Sequence, residues 1–592
     1  MKKQFIVAAV AAMALSAQAA TVYHAGDISN SVTWSASDTH NMTNRVTVLP
    51  GATLTIEPGT IIASDGGTLA VTAGAQIFAA GTKDRPIIFT SANDDFQTWR
   101  PACQEWGSLA IMGDGIISSH VYKGAVKNGT NIDTPNAVGT HKRVMEGLLA
   151  RGDGTEEYGG NNDDYDAGTL SYVSFRYGGQ VLEEASELNG LSMGGIGRET
   201  QVDHIEIMNN VDDGIEIWGG TVCMKYISIF NIGDDSLDCD QGWRGKVQHG
   251  LIVQGYSAEA KQGSGVGDNC IEMDGSEDSD CEPHTTSTLY NFTVIGNSIS
   301  GDHGMALRDN VRLQVRNSIF IGAAKGDGAL IDAEYDDDGG SGWDHAAGAT
   351  YIPLKKGTPT YTERTFIKTV PSLEETYGVA YNANSFSNDM VRLTDAGFTN
   401  AYWAQTDGYM NELTDSVVYD VALGGHIDTI QLDGHAGFDV VEATDLPIAS
   451  VTYATNAVAV HNADVEYVVA LDPRAANDAV TADSTPTNDG FFDQVSYRGA
   501  FSTTDNWLAG WSAAYEFGML SGDSVASTEI DTGAYISFST VKGEFYNVES
   551  AANAGFTSNV VTEATLTGTG ETMFFGDDAV GSSAKFFRVT TF

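Results

Sequence analysis

Residues 202–220 read VDHIEIMNNVDDGIEIWGG, and residues 222–242 read VCMKYISIFNIGDDSLDCDQG. Laid one above the other, the two segments share a plan. Each opens with a long alternating apolar stretch, bends at Asn, passes through a turn rich in Gly and Asp, and closes on a short alternating stretch ended by Gly. Alternation at period two marks strands, and the punctuation marks turns. One such coil cannot bury its own inner face, so it needs a neighbour above and below. Equivalent strands of successive coils then pair in parallel about 4.8 Å apart.

The plan extends in both directions. Toward the C-terminus come KVQHGLIVQG (246–255), LYNFTVIGNS (289–298) and LQVRNSIFIG (313–322); toward the N-terminus, LSYVSFRYGG (170–179). Earlier still, residues 46–82 run VTVLPGATLTIEPGTIIASDGGTLAVTAGAQIFAAGT, with shorter strands cut by Pro-Gly, Gly-Gly and Ala-Gly. The fold class is therefore all-β, a parallel β-helix of expected right hand. Val48, Leu54, Ile56, Ile61, Leu69, Val71, Ile205, Ile207, Ile215, Ile227 and Ile229 should fill one core. Asn209, Asn231, Asn297 and Asn317 stand where a coil must bend, which Asn does readily in the left-handed region.

Met1-Lys2-Lys3-Gln4, the apolar run Phe5 to Leu15 and Ala17-Gln18-Ala19 fit a signal peptide over residues 1–19, with the mature chain starting near Ala20. No Cys follows to accept a lipid. Export to the extracellular side or outer surface of a Gram-negative cell is the expectation. The β-helix is expected over 20–335 with a surface insertion near 119–166. It continues through 336–520 with irregular insertions, and a small β module occupies 521–592. No later segment is long and apolar enough for a transmembrane helix.

With 79 Asp and Glu against 31 Lys and Arg, the formal net charge is −48. Nucleic acid and anionic lipid are poor partners for such a charge, whereas cations are favoured. The five cysteines are an odd number and form no C-x-x-C pair. Cys270 and Cys281 bracket a short acidic loop and are the preferred disulfide; Cys223 with Cys239 is second. No nucleotide, flavin or haem signature is present.

The turn element recurs as Asp212-Asp213-Gly214-Ile215-Glu216, Asp234-Asp235-Ser236-Leu237-Asp238, Asp268-Asn269-Cys270-Ile271-Glu272 and Asp302-His303-Gly304-Met305-Ala306, with a weaker copy at Asp327. In register, the leading Asp212, Asp234, Asp268 and Asp302 form a row, with Asp235, Asp238, Glu216 and Glu272 near it. Carboxylates about 4.8 Å apart repel by roughly 3–4 kcal/mol at an effective dielectric of 20. Such a row needs N–H donors, cationic neighbours or a bound ion, and calcium suits oxygen donors in flexible number. Trp218, Trp243 and Tyr256 lie beside Gly-rich turns and are the candidates for stacking on sugar rings.

Glu187-Leu-Asn-Gly-Leu-Ser192, the run Asp213 to Val222, Lys225-Tyr226, the run Gly233 to Gly242, and Tyr497-Arg498-Gly499-Ala500-Phe501 with Trp507 and Trp511 carry a family likeness. Over roughly 45–515 the chain resembles parallel β-helix surface proteins and lipoproteins of Gram-negative bacteria. Those proteins largely lack an assigned activity, and the expected function here is a non-catalytic binding or adhesive role toward a carbohydrate or cell-envelope component, or a structural envelope role. Phe586-Phe587-Arg588-Val589 resembles the last strand of a C-terminal module of secreted bacterial proteins.

A polysaccharide hydrolase or lyase acting along one face is the alternative. Polygalacturonase-like hydrolases set Asn-x-Asp, Asp-Asp, His-Gly and Arg-x-Lys on successive coils. This chain is similar in Asn210-Val211-Asp212, Asp234-Asp235, His249-Gly250 and Arg308-Asp309-Asn310, lacking the Lys. That likeness nominates Asp212, Asp234, Asp235, His249 and Arg308 as catalytic. For a lyase the basic candidates near the row are Lys225, Arg244 and Lys246.

Overall fold

The computed structural model describes residues 20–121, 134–180, 188–255, 267–276, 281–297, 302–309, 311–323, 329–332, 403–406, 412–421, 438–455 and 466–521. It also describes the strands Val126–Lys127 and Thr130–Asn131 and six strands between 529 and 591. The expected signal peptide, the Asp327 copy of the turn element and Tyr256 lie outside the described residues.

Twenty-four strands form one parallel β-helix sheet system. Short strands stack in register, Leu69 on Leu109, Leu109 on Leu191, Leu191 on Ile215, Ile215 on Leu237 and Leu237 on Ile271. Long strands stack beside them: Gly168–Arg176, Gln201–Asn210, Cys223–Ile232, Lys246–Val253 and Thr286–Ile295. Each long strand turns a corner at a residue of positive φ: Tyr172 at 48°, His204 at 50°, Tyr226 at 58°, His249 at 64° and Asn291 at 58°. A second bend follows at Asn209 and Asn231, whose side chains stack, and one also falls at Asn317. Asn297 does not take the left-handed conformation expected of it.

Inward side chains make a continuous apolar column that includes ten of the eleven expected core residues. Burying each Val, Ile or Leu contributes roughly 1.5–3 kcal/mol. The exception is Ile61, which is partly exposed while Ile62 faces inward. In Ile61–Ser64 the two adjacent isoleucines make the phase of the alternation ambiguous, and pairing with His40 sets Ile62 inside.

The sequence reading carries the helix to residue 520, but the described parallel sheet runs only to Phe438–Glu442. Ile448–Thr455 and Glu466–Ala475 form an antiparallel hairpin, and residues 477–521 return along the outside of the coils. The cause is apolar surface on the outer faces of the long strands. Met208, Phe230, Leu251, Ile295 and Ile319 point outward and are covered by Ala500, Phe501, Trp507, Leu508 and Trp511. Beneath this strap Tyr172, His204, Tyr226 and His249 stack at 4.0, 4.5 and 4.7 Å. Lys225 Nζ and the Tyr226 hydroxyl donate to Asp493 at 2.7 and 2.9 Å, and Lys246 Nζ donates to Asp489 at 2.6 Å. Farther on, six strands make two three-stranded antiparallel sheets within 529–591.

All five cysteines are unbridged. Cys270 is a member of the inner column, whereas the Cys281 sulfur lies 3.5 Å from His120 Nδ1, so the expected Cys270–Cys281 disulfide does not form. A disulfide needs side chains that converge, and Cys281 is directed to His120 and not to the inner column that holds Cys270. The second pair fares alike, since Cys239 is inward and Cys223 is only half-buried. Thiol titration of the denatured, unreduced protein should count five per chain, and reductant should leave its melting temperature unchanged; three thiols would contradict this arrangement.

Candidate functional site

Alternation places every second side chain of a short strand outside. On that face Ser192, Glu216, Asp238, Glu272 and Ala306 occupy one row. A second row sets Gly194 beside Trp218, Trp218 beside Asp240, and Asp274 beside Arg308. The turns entering these strands add a third row. Asp302 N–H donates to Asp268 O at 3.1 Å, and Asp268 N–H donates to Asp234 O at 2.9 Å. The recurring element thus becomes a continuous acidic face, with Asp212, Asp213 and Asp234 close together at its N-terminal end.

The second aspartate of each turn serves as a ladder rung. Asp213 N–H donates to Asn189 Oδ1 at 3.2 Å, Asp235 N–H to Asp213 Oδ1 at 3.0 Å, and Asn269 N–H to Asp235 Oδ1 at 2.6 Å. Asn and Asp therefore fill the same role, and the charge at 213 and 235 exceeds what the backbone requires.

That charge is poorly matched by its surroundings. Arg308 pairs with Glu272 and reaches Asp274 at 3.0 Å, and His303 Nε2 lies 3.2 Å from Asp332 and 3.3 Å from Asp302. Asn189 donates to Glu216. Burial, then Asp212, pushes the Asp213 carboxyl well above its usual range. Burial, then Asp238, does the same to Glu216 and Asp235. Burial and Asp235 push Asp234 up to about 8; burial and Asp240 push Asp238 up to about 7. Asp268 is raised by burial and by Asp302.

Three carboxylate sets bring oxygens within 4.8 Å of one another: Asp212, Asp213 and Asp234; Asp213, Glu216 and Asp238; Asp234, Asp235 and Asp268. Buried Asp238 Oδ1 and Asn269 Oδ1 have no hydrogen-bond donor. An all-oxygen donor set, crowded like charges and orphaned acceptors fit a hard divalent cation such as Ca²⁺. Glu272 and Asp302 belong to the same face, held by Arg308 and His303.

The insertion between Ser108–Met112 and Gly168–Arg176 supplies the N-terminal wall of this face. Its hairpin, Arg143–Val144 with Glu157–Tyr158, lays the Tyr158 ring over Gly194, where a Cβ would come within 2.4 Å of the ring. Tyr158 lies 6.0 Å from Trp218, and its hydroxyl donates to Gln241 Oε1 at 3.0 Å. Between wall and sheet is a cavity of about 360 Å³, bounded by Arg143, Glu146 and Tyr158 on one side and Trp218, Asp240 and Asp274 on the other.

The remaining sequence candidates separate. Trp243 is fully buried in the inner column, its indole N–H donating to Val222 O at 3.1 Å, so it presents no surface to a sugar. Trp218 is 4% exposed and meets the cavity. His249 lies under the strap with its Nε2 3.4 Å from Asp493, on a long strand and away from the acidic face, so the five-residue hydrolase constellation is not assembled. Arg308 does join Asp234, Asp235 and Asp238 electrostatically. Of the basic candidates, Lys225 and Lys246 bind the strap, and Arg244 grips Asp163 at 2.6 and 2.8 Å. Sequence reasoning missed Asp240, Asp274, Asn189 and the whole contribution of the hairpin.

A family model described as a pectate-lyase-like β-helix domain matches residues 26–410. No curated protein and no solved structure matches the chain.

Proposed function

Because the chain belongs to the pectate-lyase-like β-helix family, we propose that its acidic face is a calcium-dependent binding groove for an acidic polysaccharide, carried by an exported protein. The observation behind this reading is the crowding of Asp213, Glu216, Asp235 and Asp238, buried carboxyl groups that raise one another's pKa and leave acceptors without donors. Asp212, Asp213, Asp234 and Asp238, with Glu216, Asp235 and Asp268, are the residues to hold the ion. Bound there, calcium supplies positive charge and open coordination positions for a uronate carboxylate. The chain itself supplies the Trp218 and Tyr158 floor, the Arg143 guanidinium and the walls that orient a sugar.

Binding is preferred over cleavage because His249 is remote and Arg308 is engaged by Glu272 and Asp274. One observation favours cleavage as a second reading. Asp238 and Asp234, titrating near 7 and 8, can hold protons at neutral pH, which is what the general acid of a glycoside hydrolase requires.

Titration calorimetry with oligogalacturonate should give binding in calcium and a loss of at least tenfold in chelator. Equal affinity in both would remove calcium from the reading, and absence of binding to any acidic glycan on an array would remove the carbohydrate. A reducing-sugar assay on the same mixtures should stay at background; steady release of new ends would establish cleavage instead. Mass spectrometry of protein from its native host should find the N-terminus near Ala20.

A further inference from the structure

We propose that the groove receives the end of a polysaccharide chain and not an internal stretch, with the terminal sugar seated in the cavity at Trp218. The proposal rests on the carbohydrate-binding reading and adds the mode of recognition.

The outer face of the short-strand sheet changes character at one rung. From Trp218 onward it carries the acidic rows and borders the cavity. On the preceding rungs its side chains include Ala70, Ala110, Met112 and Ser192, all buried, and Met145, Leu148 and Tyr158 of the insertion pack with Ala70, Ala110 and Met112 as one apolar cluster. A sugar chain running along the acidic face toward the N-terminus therefore meets packed protein at Trp218. Gly194 makes this closure possible, because any side chain there would collide with the Tyr158 ring.

The barrier is built in and does not have the attachments of a lid. Asp163, near the end of the insertion, forms two hydrogen bonds to buried Arg244 and accepts the Ile116 N–H at 3.1 Å. Arg45, from the first coils, pairs with Glu156 at 2.8 Å and donates to Leu149 O at 2.9 Å. Tyr158 is tied to Gln241. Opening the wall would break a buried ion pair and expose an apolar cluster together, and both oppose it. The cavity of about 360 Å³ lies at the low end of the roughly 300–1,000 Å³ typical of small-ligand pockets, a size for a terminal unit and not for a passing polymer.

The test uses the full calcium-loaded chain and four probes: tetragalacturonate unmodified, capped with a bulky aromatic group at its reducing end, capped at its non-reducing end, and long polygalacturonate. In calorimetry at least one cap should weaken binding tenfold or more, and the polymer should titrate in proportion to its number of chain ends. If both capped forms bind within twofold of the unmodified one and the polymer titrates per unit length, chain-end recognition is overturned while the binding function stands. If no probe binds, both fall together.

Discussion

Asp234→Asn with Asp235→Asn should make the protein more stable in chelator, by about 3 kcal/mol, and should abolish the stabilisation that calcium gives the parent. The first half follows from burial and like charge together: in the folded chain these carboxyls either carry repelling charge or hold protons that the unfolded chain has released, and Asn does neither. These carboxylates sit with Asp268 inside a 4.8 Å set, and one such pair repels by roughly 3–4 kcal/mol at an effective dielectric of 20. The ladder survives the change, because Asn retains the Oδ1 that receives the Asn269 N–H. Asn189 already fills that role on the coil before Asp213, which in turn precedes Asp235. The second half follows from linkage: an ion bound only by the folded chain stabilises by about 2.7 kcal/mol at a hundred times its dissociation constant. Calorimetric melting of parent and variant, each in calcium and in chelator, reads both halves. A variant less stable than the parent in chelator would mean that the carboxylates hold the turn by more than their oxygens' geometry.

The acidic rows were legible because repetition converts sequence position into height on the coil. Asp213 and Asp235 occupy one place in two successive turns, and Glu216 and Asp238 follow each by the same step. The same logic reaches Asp240 and Asp274, which stand where Trp218 stands in its coil; the alternation Asp238-Cys239-Asp240 carries that signal. It also separates His249 from the acids. His249 aligns with Tyr226 and His204 at the corner of the long strands, so a match to a catalytic order along the chain put on one face what the coil puts on two. Trp243 and Trp218 look alike beside glycines, and only the packing tells the inner one from the outer. The hairpin residues Arg143, Glu146 and Tyr158 obey no repeat, so where the insertion folds back was fixed by contacts remote in sequence, Asp163 with Arg244 and Glu156 with Arg45.

With calcium removed, stability should fall as the pH is raised from about 4 to about 8, opposite to the trend set by ordinary paired carboxylates. Asp234 titrates near 8 and Asp238 near 7 in the folded chain, because burial and neighbouring negative charge disfavour ionisation; an ordinary aspartate titrates at 3.8. Between those limits the folded state holds protons that the unfolded chain has released, so raising the pH favours unfolding. The stabilisation is complete below about pH 4, and is lost as the pH passes 7 and then 8. Asp213, Glu216 and Asp235 are shifted in the same direction and add to it. Each proton held only by the folded state contributes about 1.4 kcal/mol per pH unit, and shared protons among coupled groups hold the net slope to about 1–3 kcal/mol per unit. Below pH 4 the sign reverses, since Asp493 and Asp163 are held down against burial by His249, Lys225 and Tyr226 in one case and Arg244 in the other, and protonating them removes those bonds. Calcium takes over the neutralisation that protons provide, so saturating calcium should flatten the fall above pH 5 and make ion affinity rise with pH. Denaturant unfolding at pH 5, 6, 7 and 8, with and without chelator, measures the slope directly. A flat or rising profile in chelator would show the carboxylates to be ionised and already compensated, and the cation site would then lose its electrostatic reason.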